Sequence, residues 1–147
     1  MYEPHALRMK YANPASYSQH HLAPLLNAIV EGQEVSLFMD TGANINIVDL
    51  PTLIYYDVDL SKMQEPTIII RDVNGGLATP YGEISVDIEL DNEIKSVHFA
   101  VVHAKKTPGD FLIAYPTIFQ WDAYIHPRSR SVLINRKRLK LSLLNKS

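Results

Sequence analysis

One short motif combines residue types that can carry out hydrolysis. Asp40 ends a run of mostly apolar residues and is followed by Thr41, Gly42 and Ala43. This placement holds a carboxyl group at the edge of a core, where glycine permits close backbone approach and threonine offers a hydroxyl that can lock the loop. An aspartate here could equally accept backbone hydrogen bonds in an ordinary turn, so the motif alone leaves a purely structural role open.

The number of such motifs bears on catalysis. A lone carboxyl group is a poor catalyst of amide hydrolysis, whereas two that lie about 3 Å apart cannot both ionise, so one acts as acid while the other deprotonates water. Asp-Thr-Gly occurs once in this chain, and Asp-Ser-Gly does not occur. The second carboxyl must therefore come from another chain, and a two-fold axis would place Asp40 opposite its own mate.

Short strands surround the motif. Alternating or continuous apolar segments predict strands over residues 25–30, 34–39, 45–48, 68–70, 77–90, 97–102, 111–114, 124–125 and 132–134. Residues 31–33 and 74–76 contain turn-forming types that predict tight hairpins, and residues 91–93 predict a further turn of the chain. Pro116 suits the first turn of one short helix over residues 117–121. Many short strands with turns about every 8–12 residues indicate an all-β barrel or sandwich.

Composition narrows the class of protein. The chain has 147 residues, 46% of them hydrophobic and 20% charged, with a net charge of −2 and no cysteine. The absence of cysteine excludes a disulfide scaffold, a zinc ribbon and a thiol enzyme. No apolar run approaches the roughly 18 residues of a membrane span, and the N-terminus lacks the apolar core of a signal peptide. We therefore expect one globular unit, intracellular (cytoplasmic or nuclear), with no membrane association.

The charges are unevenly distributed. All 16 acidic residues lie at or before Asp122, so residues 1–125 carry −9 and residues 126–147 carry +7. A solvated tail is the simplest interpretation, although the basic run at 136–140 could contact nucleic acid or act as an import signal. Five residues without an aromatic partner are weak evidence for either role, so we expect no nucleic-acid partner.

Three segments in order resemble the retropepsin-like aspartic proteases, the family of retroviral and retrotransposon proteases and their Ddi1-like relatives. FMDTGANINIV is similar to the catalytic segment, VNGGLATPYGEISVDIEL to the flap hairpin with the next strand, and FLIAYPTIFQWDAYIHPRSRSVLIN to the closing segment. The resemblance implies an all-β acid-protease barrel with one short helix, active as a homodimer. It divides the chain into a lead-in (1–23), a protease domain (24–135) and a basic C-terminal tail (136–147).

The resemblance also implies residue roles. Asp40 would be the catalytic acid and base, paired with Asp40 of the other chain around a shared water. Thr41 would clamp the two loops across the axis, Gly42 would supply the close turn, and Ala43 would line the cleft. Contacts to an extended peptide or polyprotein substrate would come from Asn44 and from a flap tip made of Val73, Asn74, Gly75, Gly76 and Leu77. No cofactor is needed, and six histidines without ligand spacing predict no metal site.

Several positions depart from the family's pattern. Ala114 stands where the family has a glycine behind the catalytic loop, and Asn44 where many members have an aspartate. Tyr115 and Pro116 replace a polar pair found in some viral members. These departures keep a second hypothesis open, a retropepsin-like module that dimerises or binds a peptide with weak or no catalysis. A third hypothesis is a β-barrel adaptor whose basic tail binds nucleic acid.

Overall fold

The computed structural model of the chain describes residues 22–71, 76–126, 128–134 and 137–145. The strands are β1 Leu22–Val30, β2 Gln33–Asp40, β3 Ile47–Asp49, β4 Ile70–Arg71, β5 Leu77–Ala78, β6 Gly82–Leu90, β7 Glu93–Val102, β8 Phe111–Ala114, β9 Ala123–His126, β10 Ser131–Ile134 and β11 Lys137–Asn145. The α-helices are α1 Leu50–Tyr55 and α2 Tyr115–Gln120, and Leu60–Lys62 forms one turn of 3-10 helix. The predicted all-β class is confirmed.

Six strands close into a barrel. Their order is β2-β8-β3-β7-β6-β1, and β1 pairs again with β2, which completes the ring. From β1 the sheet continues outward through β11, β10 and β9. The short strands β4 and β5 form a separate two-stranded sheet, with Ile70 opposite Ala78. Closure gives β2, the strand that carries Asp40, a pairing partner on each side, β1 and β8.

Two of the predicted hairpin turns are present with the backbone conformation that tight turns need. Glu31 and Gly32 connect β1 to β2 with φ of 51° and 73°, and Asp91 and Asn92 connect β6 to β7 with φ of 49° and 68°. Glycine, asparagine and aspartate adopt positive φ at the lowest cost, which is why these residue types marked turns in the sequence. The 74–76 turn falls partly on residues 72–75, which lie outside the described residues.

The described residues form two α-helices where the sequence predicted one. α2 begins at Tyr115, two residues earlier than predicted, with Pro116 in its first turn. α1 lies in a segment predicted to be irregular. Asp49 caps it by accepting a hydrogen bond from the Thr52 N–H at 3.1 Å. The Asp49 cap and the proline in the first turn are typical of a helix start. The sequence showed no helical repeat of apolar residues here, because Leu53 is the one residue of α1 that is buried. No helix within the described ranges is long and apolar enough to cross a membrane.

The C-terminal segment predicted as a basic tail contains β11. This strand pairs antiparallel with β10, where Leu139 faces Val132 across the ladder, and with β1, where Leu141 stands opposite Leu26. Leu139 packs against the main core. The folded unit therefore continues past residue 135 and joins the C-terminal strand to β1. Of the lead-in, Leu22 and Ala23 belong to β1, and residues 1–21 lie outside the described residues.

Two hydrophobic clusters fill the fold. The larger occupies the barrel and contains the buried Trp121 and the Phe99 and Phe111 rings, whose centroids lie 5.2 Å apart. The smaller consists of Phe38, Ala43, Ile47, Leu112 and Ala114. It joins the loop after Asp40 to β3 and β8, so apolar packing holds that loop from the side of the sheet.

Candidate active site

Asp40 is the last residue of β2, and only 2% of it is exposed. Its Oδ1 accepts a hydrogen bond from the Gly42 N–H at 3.0 Å, and its backbone carbonyl accepts one from the Ala43 N–H at 3.0 Å. These two bonds close the turn that follows the strand. The carboxyl group is thereby held in one orientation at the edge of the core, because both its own oxygen and the backbone beside it are engaged.

The loop after Asp40 passes over the end of β8. Strand β2 runs parallel to β8 with Asp40 opposite Ala114, and β3 pairs antiparallel with the other edge of β8 with Ile47 opposite Leu112. Residues 41–46 therefore connect the two strands that flank β8. The end of β8 therefore lies between β2, which carries Asp40, and β3, which follows the loop.

Asn46 joins this loop to three neighbouring elements. Its Oδ1 accepts a hydrogen bond from the Ala114 N–H at 2.7 Å, and its Nδ2 donates to Thr117 Oγ1 at 2.7 Å and to the His98 carbonyl at 3.0 Å. Its backbone carbonyl accepts from the Ala100 N–H at 2.9 Å. Asn46 was not among the residues predicted for the site. The one available signal was an asparagine between two isoleucines, which does not reveal its partners.

The structure accommodates the alanine that replaces the family's glycine. Ala114 is buried in the smaller cluster, and its N–H is used by Asn46. The next residue, Tyr115, donates its N–H to the Ala43 carbonyl at 2.8 Å. The start of α2 is therefore bonded directly to the loop that follows Asp40, with the extra methyl group packed among apolar neighbours.

An exposed aromatic pair lies on α2 beside the loop. Tyr115 is 50% exposed and Phe119 is 73% exposed, and their ring centroids lie 6.1 Å apart. The tyrosine belongs to the pair that departs from the viral pattern. Together the two rings form a small exposed aromatic patch on α2, whose first residue is hydrogen-bonded to the loop after Asp40.

A second polar network fixes the opposite end of the β2–β8 pair. The Asp110 carboxylate accepts hydrogen bonds from the Ser36 N–H at 2.9 Å, from Ser36 Oγ at 3.1 Å and from the Tyr56 hydroxyl at 3.0 Å. Burial, assisted by the hydrogen bond to Asp110 and its charge, raises the pKa of Tyr56 to about 12. The network ties the entry to β8 to β2 and to the end of α1. The strand pair that carries Asp40 is thus anchored at both ends.

The other residues predicted for the site fall into two groups. In the loop, Thr41 is exposed, Gly42 and Asn44 are half-buried, and Ala43 is buried. Of the predicted flap tip, Gly76 and Leu77 are exposed, and Leu77 begins β5. The remaining predicted residues, Val73, Asn74 and Gly75, lie outside the described residues. The structure therefore brings the loop residues together around Asp40.

The arrangement supplies one buried carboxyl group, a backbone N–H bonded to it and an exposed threonine hydroxyl next to it. Two carboxyl groups that share a proton can activate water and protonate a carbonyl oxygen, whereas one has to do both in turn. Within the described parts of the chain, no group of three or more histidine or acidic side chains is placed to hold a metal ion.

Solved structures with the same architecture identify the fold. The retroviral protease-like domain of Ddi1 from Leishmania major matches with a TM-score of 0.65 and 14% identity, over 82% of this chain and 90% of that chain. This chain has the retropepsin-like fold. The protease of EIAV, solved in complex with the inhibitor HBY-793, matches the retropepsin-like fold of this chain with a TM-score of 0.55 and 13% identity, over 71% of this chain and 92% of that chain. No protein-family model and no curated protein sequence matches.

The likeness confirms the fold predicted from the three sequence segments. Its sequence identities of 13% and 14% are too low to carry over an activity, so the likeness concerns the retropepsin-like backbone. Three features of the site are observed directly in this structure and do not depend on the likeness. They are the buried Asp40 carboxyl, the Asn46 hydrogen bonds and the exposed aromatic pair on α2.

Proposed function

We propose that this protein is an aspartic endopeptidase that hydrolyses peptide bonds in extended polypeptide segments as a homodimer. One observation carries the proposal: in a retropepsin-like barrel, a single Asp-Thr-Gly places a buried carboxyl group at the end of β2. The hydrogen bonds of Gly42 and Ala43 orient that group in the free chain. Preorganisation of this kind is what a catalytic carboxyl needs.

In the proposed dimer, Asp40 and its mate would lie about 3 Å apart and share one proton. The ionised carboxylate removes a proton from a water molecule, which attacks the carbonyl carbon of the peptide. The protonated carboxyl gives its proton to the carbonyl oxygen, and a tetrahedral diol forms. The carboxyl that took the proton from water then donates it to the amide nitrogen, while the other carboxylate removes a proton from one hydroxyl of the diol. The carbon–nitrogen bond breaks, a carboxylic acid and an amine are released, and both carboxyls return to their starting state.

The surface around the loop supports a second copy as the partner. Thr41 is exposed although the residue before it is buried, so its hydroxyl is available to another chain. Tyr115 and Phe119 expose two aromatic rings beside the same loop. Aromatic side chains are enriched in the buried centres of protein interfaces. A two-fold axis next to Thr41 would cover both rings and complete the pair of carboxyls.

Substrate binding follows from the strand architecture. An extended peptide can add main-chain hydrogen bonds to exposed strand edges, while pockets for alternate side chains select its sequence. The two-stranded sheet of β4 and β5 is separate from the barrel and offers such edges. We propose that a peptide or polyprotein segment binds between this sheet and the Asp40 loop.

The test uses the full chain. Its mass in solution is measured over a range of concentrations, and a peptide library is assayed between about pH 4 and 7, where a carboxyl dyad can hold one proton. Asp40→Asn should abolish cleavage and leave the dimer intact. Asp87→Asn, at an exposed position on β6, should leave cleavage unchanged. Cleavage that survives Asp40→Asn, or a protein that stays monomeric at every concentration, would overturn the proposal.

A retropepsin-like module that dimerises or binds a peptide without cutting it is the second candidate. The departures at Ala114, Asn44 and the Tyr115-Pro116 pair favour it, because Tyr115 places an aromatic ring where some viral members have a polar residue and this residue is half-exposed. A stable dimer that cleaves no peptide at any pH and binds no pepstatin-like inhibitor would establish this module and exclude the enzyme.

A further inference from the structure

The arm that leads into β4 is attached to the barrel by a buried carboxylate. Glu83, the second residue of β6, is 5% exposed. Its oxygens accept hydrogen bonds from Thr67 Oγ1, at 2.8 Å to Oε2 and 3.1 Å to Oε1, and Oε2 also accepts from the Thr67 N–H. Thr67 lies three residues before β4 begins. The Glu83 side chain of the barrel thus accepts hydrogen bonds from both the backbone N–H and the side-chain hydroxyl of Thr67 in the arm.

Backbone contacts place the whole arm, residues 63–67, on the start of β6. The Gln64 N–H donates to the Glu83 carbonyl at 2.8 Å, and the Glu83 N–H donates to the Gln64 carbonyl at 2.9 Å. Gly82 makes room for this approach, since a Cβ there would lie 2.7 Å from Met63 Cγ and 2.9 Å from the Gln64 oxygen. The arm is therefore seated by two main-chain bonds and by the carboxylate.

His98 of β7 approaches the same carboxylate from the other side. Its Nε2 lies 2.8 Å from Glu83 Oε1, and its Nδ1 lies 3.3 Å from Ser85 Oγ. The His98 side chain is 52% exposed, whereas that of Glu83 is 6% exposed. An ionised carboxylate only accepts hydrogen bonds, so Nε2 carries the proton in this contact. The half-exposed histidine therefore connects the buried carboxylate to the protein surface.

The hydrogen bonds from Thr67 and His98 explain how Glu83 can carry a charge although it is buried. Burial by itself raises the pKa of Glu83, but the hydrogen bonds from Thr67 and His98, with the charge of His98, outweigh it and lower that pKa below the ordinary value of 4.5. A buried carboxylate without such partners would take up a proton. Glu83 has no part in the proposed chemistry at Asp40, so the sequence maintains a buried charge away from the reacting carboxyl.

We propose that Glu83 is a positioning residue that fixes the arm at residues 63–67, and with it the β4–β5 sheet, and that His98 keeps the Glu83 carboxylate oriented and ionised. The consequence for catalysis rests on the proposed function, because it requires that this sheet is placed against a peptide that is cleaved. The attachment of the arm does not depend on it. The two claims are therefore tested by different measurements.

Hydrogen exchange of the Thr67 amide, followed by NMR, tests the attachment. Glu83→Gln replaces one carboxylate oxygen by an NH2 group, which donates hydrogen bonds and cannot accept them. The two side-chain oxygens can then no longer both accept hydrogen bonds from Thr67. Exchange at Thr67 should accelerate about tenfold or more, as expected for a lost hydrogen bond to a charged group. Glu89→Gln on the same strand is the matched control and should leave the rate unchanged. Equal rates in wild type and Glu83→Gln would overturn the proposal.

A second pair of variants covers the case in which Glu83→Gln does not fold. Thr67→Val removes the hydroxyl of an exposed residue and keeps its N–H, and Thr79→Val makes the same change in the exposed stretch that follows β5. Amide exchange in β4 should accelerate in Thr67→Val and remain at the wild-type rate in Thr79→Val. Identical β4 exchange in the two variants would contradict the proposed grip.

The role of His98 has its own readout. The carboxyl carbon of Glu83 is titrated by NMR in wild type, in His98→Gln and in His126→Gln, a control at another exposed histidine. Because His98 helps to lower the pKa of Glu83, its titration midpoint should move upward in His98→Gln and stay in place in His126→Gln. An unchanged midpoint in His98→Gln would remove His98 from the proposal.

Cleavage kinetics then separate this inference from the proposed function. If the arm positions substrate, Thr67→Val should raise KM for an extended peptide about threefold or more and change kcat less, since it weakens binding without altering the carboxyls. A faster Thr67 exchange in Glu83→Gln with no Asp40-dependent cleavage would leave the attachment established and the protease refuted. Unchanged KM and kcat in Thr67→Val, with cleavage intact, would refute the positioning role alone.

Discussion

The Ala114 N–H donates a hydrogen bond to Asn46 Oδ1 at 2.7 Å, and Ala114 is also the residue that stands opposite Asp40 in the sheet. One side chain thus connects the end of the loop that begins at Asp40 with the strand residue beside Asp40. The same carboxamide reaches Thr117 on α2 and the backbone of β7. The geometry at Asp40 therefore depends on a residue six positions along the chain.

Replacing Asn46 by alanine should destabilise the fold by about 2–4 kcal/mol, because a buried N–H at Ala114 loses its acceptor and two further hydrogen bonds disappear. Thr117→Val removes one of these bonds and should cost about 1 kcal/mol. Urea unfolding followed by circular dichroism measures both. Asn27→Ala, at an exposed position of β1, is the control. A cost for Asn46→Ala no larger than that of the control would contradict this role.

Tyr56 should make stability depend on alkaline pH. Its pKa is about 12 in the folded protein against 10.0 for an ordinary tyrosine, so the folded state holds this proton more tightly than the unfolded state does. The resulting stability is fully present below pH 10 and is lost as the pH rises through 12. Tyr56→Phe should remove that part of the pH dependence and cost about 1 kcal/mol at neutral pH through the bond to Asp110. Thermal unfolding at several pH values, with Tyr124→Phe as control, measures this pH dependence. The same change of stability with pH in wild type and Tyr56→Phe would refute the role of Tyr56.

Gly82→Ala should destabilise the junction between the arm and β6 by about 1–3 kcal/mol, since the added methyl overlaps Met63 and a backbone oxygen of Gln64. Adding Met63→Ala should recover only part of the loss, because the Gln64 oxygen stays at 2.9 Å from the new Cβ. Chemical denaturation of the single and double variants measures this. Full recovery in the double variant would show that the backbone contact does not limit the approach.

Phe119→Lys should weaken the proposed dimer about tenfold or more, because it places a charge in the exposed aromatic pair that the proposed dimer would cover. Lysine suits the last turn of α2, so helix stability should hardly change. Ile94→Lys is the control, at an apolar residue with 69% exposure against 73% for Phe119. Sedimentation equilibrium measures the dissociation constants. An unchanged constant for Phe119→Lys would place the dimer contact elsewhere.

Residue types and short-range patterns were sufficient for much of the fold. Alternation along β6, the turn residues at 31–32 and 91–92, and Pro116 at the start of α2 are local signals, because each reports on backbone angles or on one face of one element. The same holds for Asp40: an apolar strand that ends in Asp-Thr-Gly places the carboxyl at a core edge wherever that strand packs. The sequence alone therefore determined the β class, the loop and the expectation of a second chain.

The tertiary structure decided which distant residues serve that loop and the arm. Asn46 meets Ala114 across 68 positions, and Glu83 meets Thr67 across 16 and His98 across 15, with no local pattern in the sequence that marks these pairs. The basic segment was equally ambiguous, because alternating leucines suit either an interface strand or a strand of the same sheet, and only pairing with β1 and β10 placed it. Contacts of this kind depend on strand order and register, which arise when the barrel closes and cannot be read from neighbouring residues.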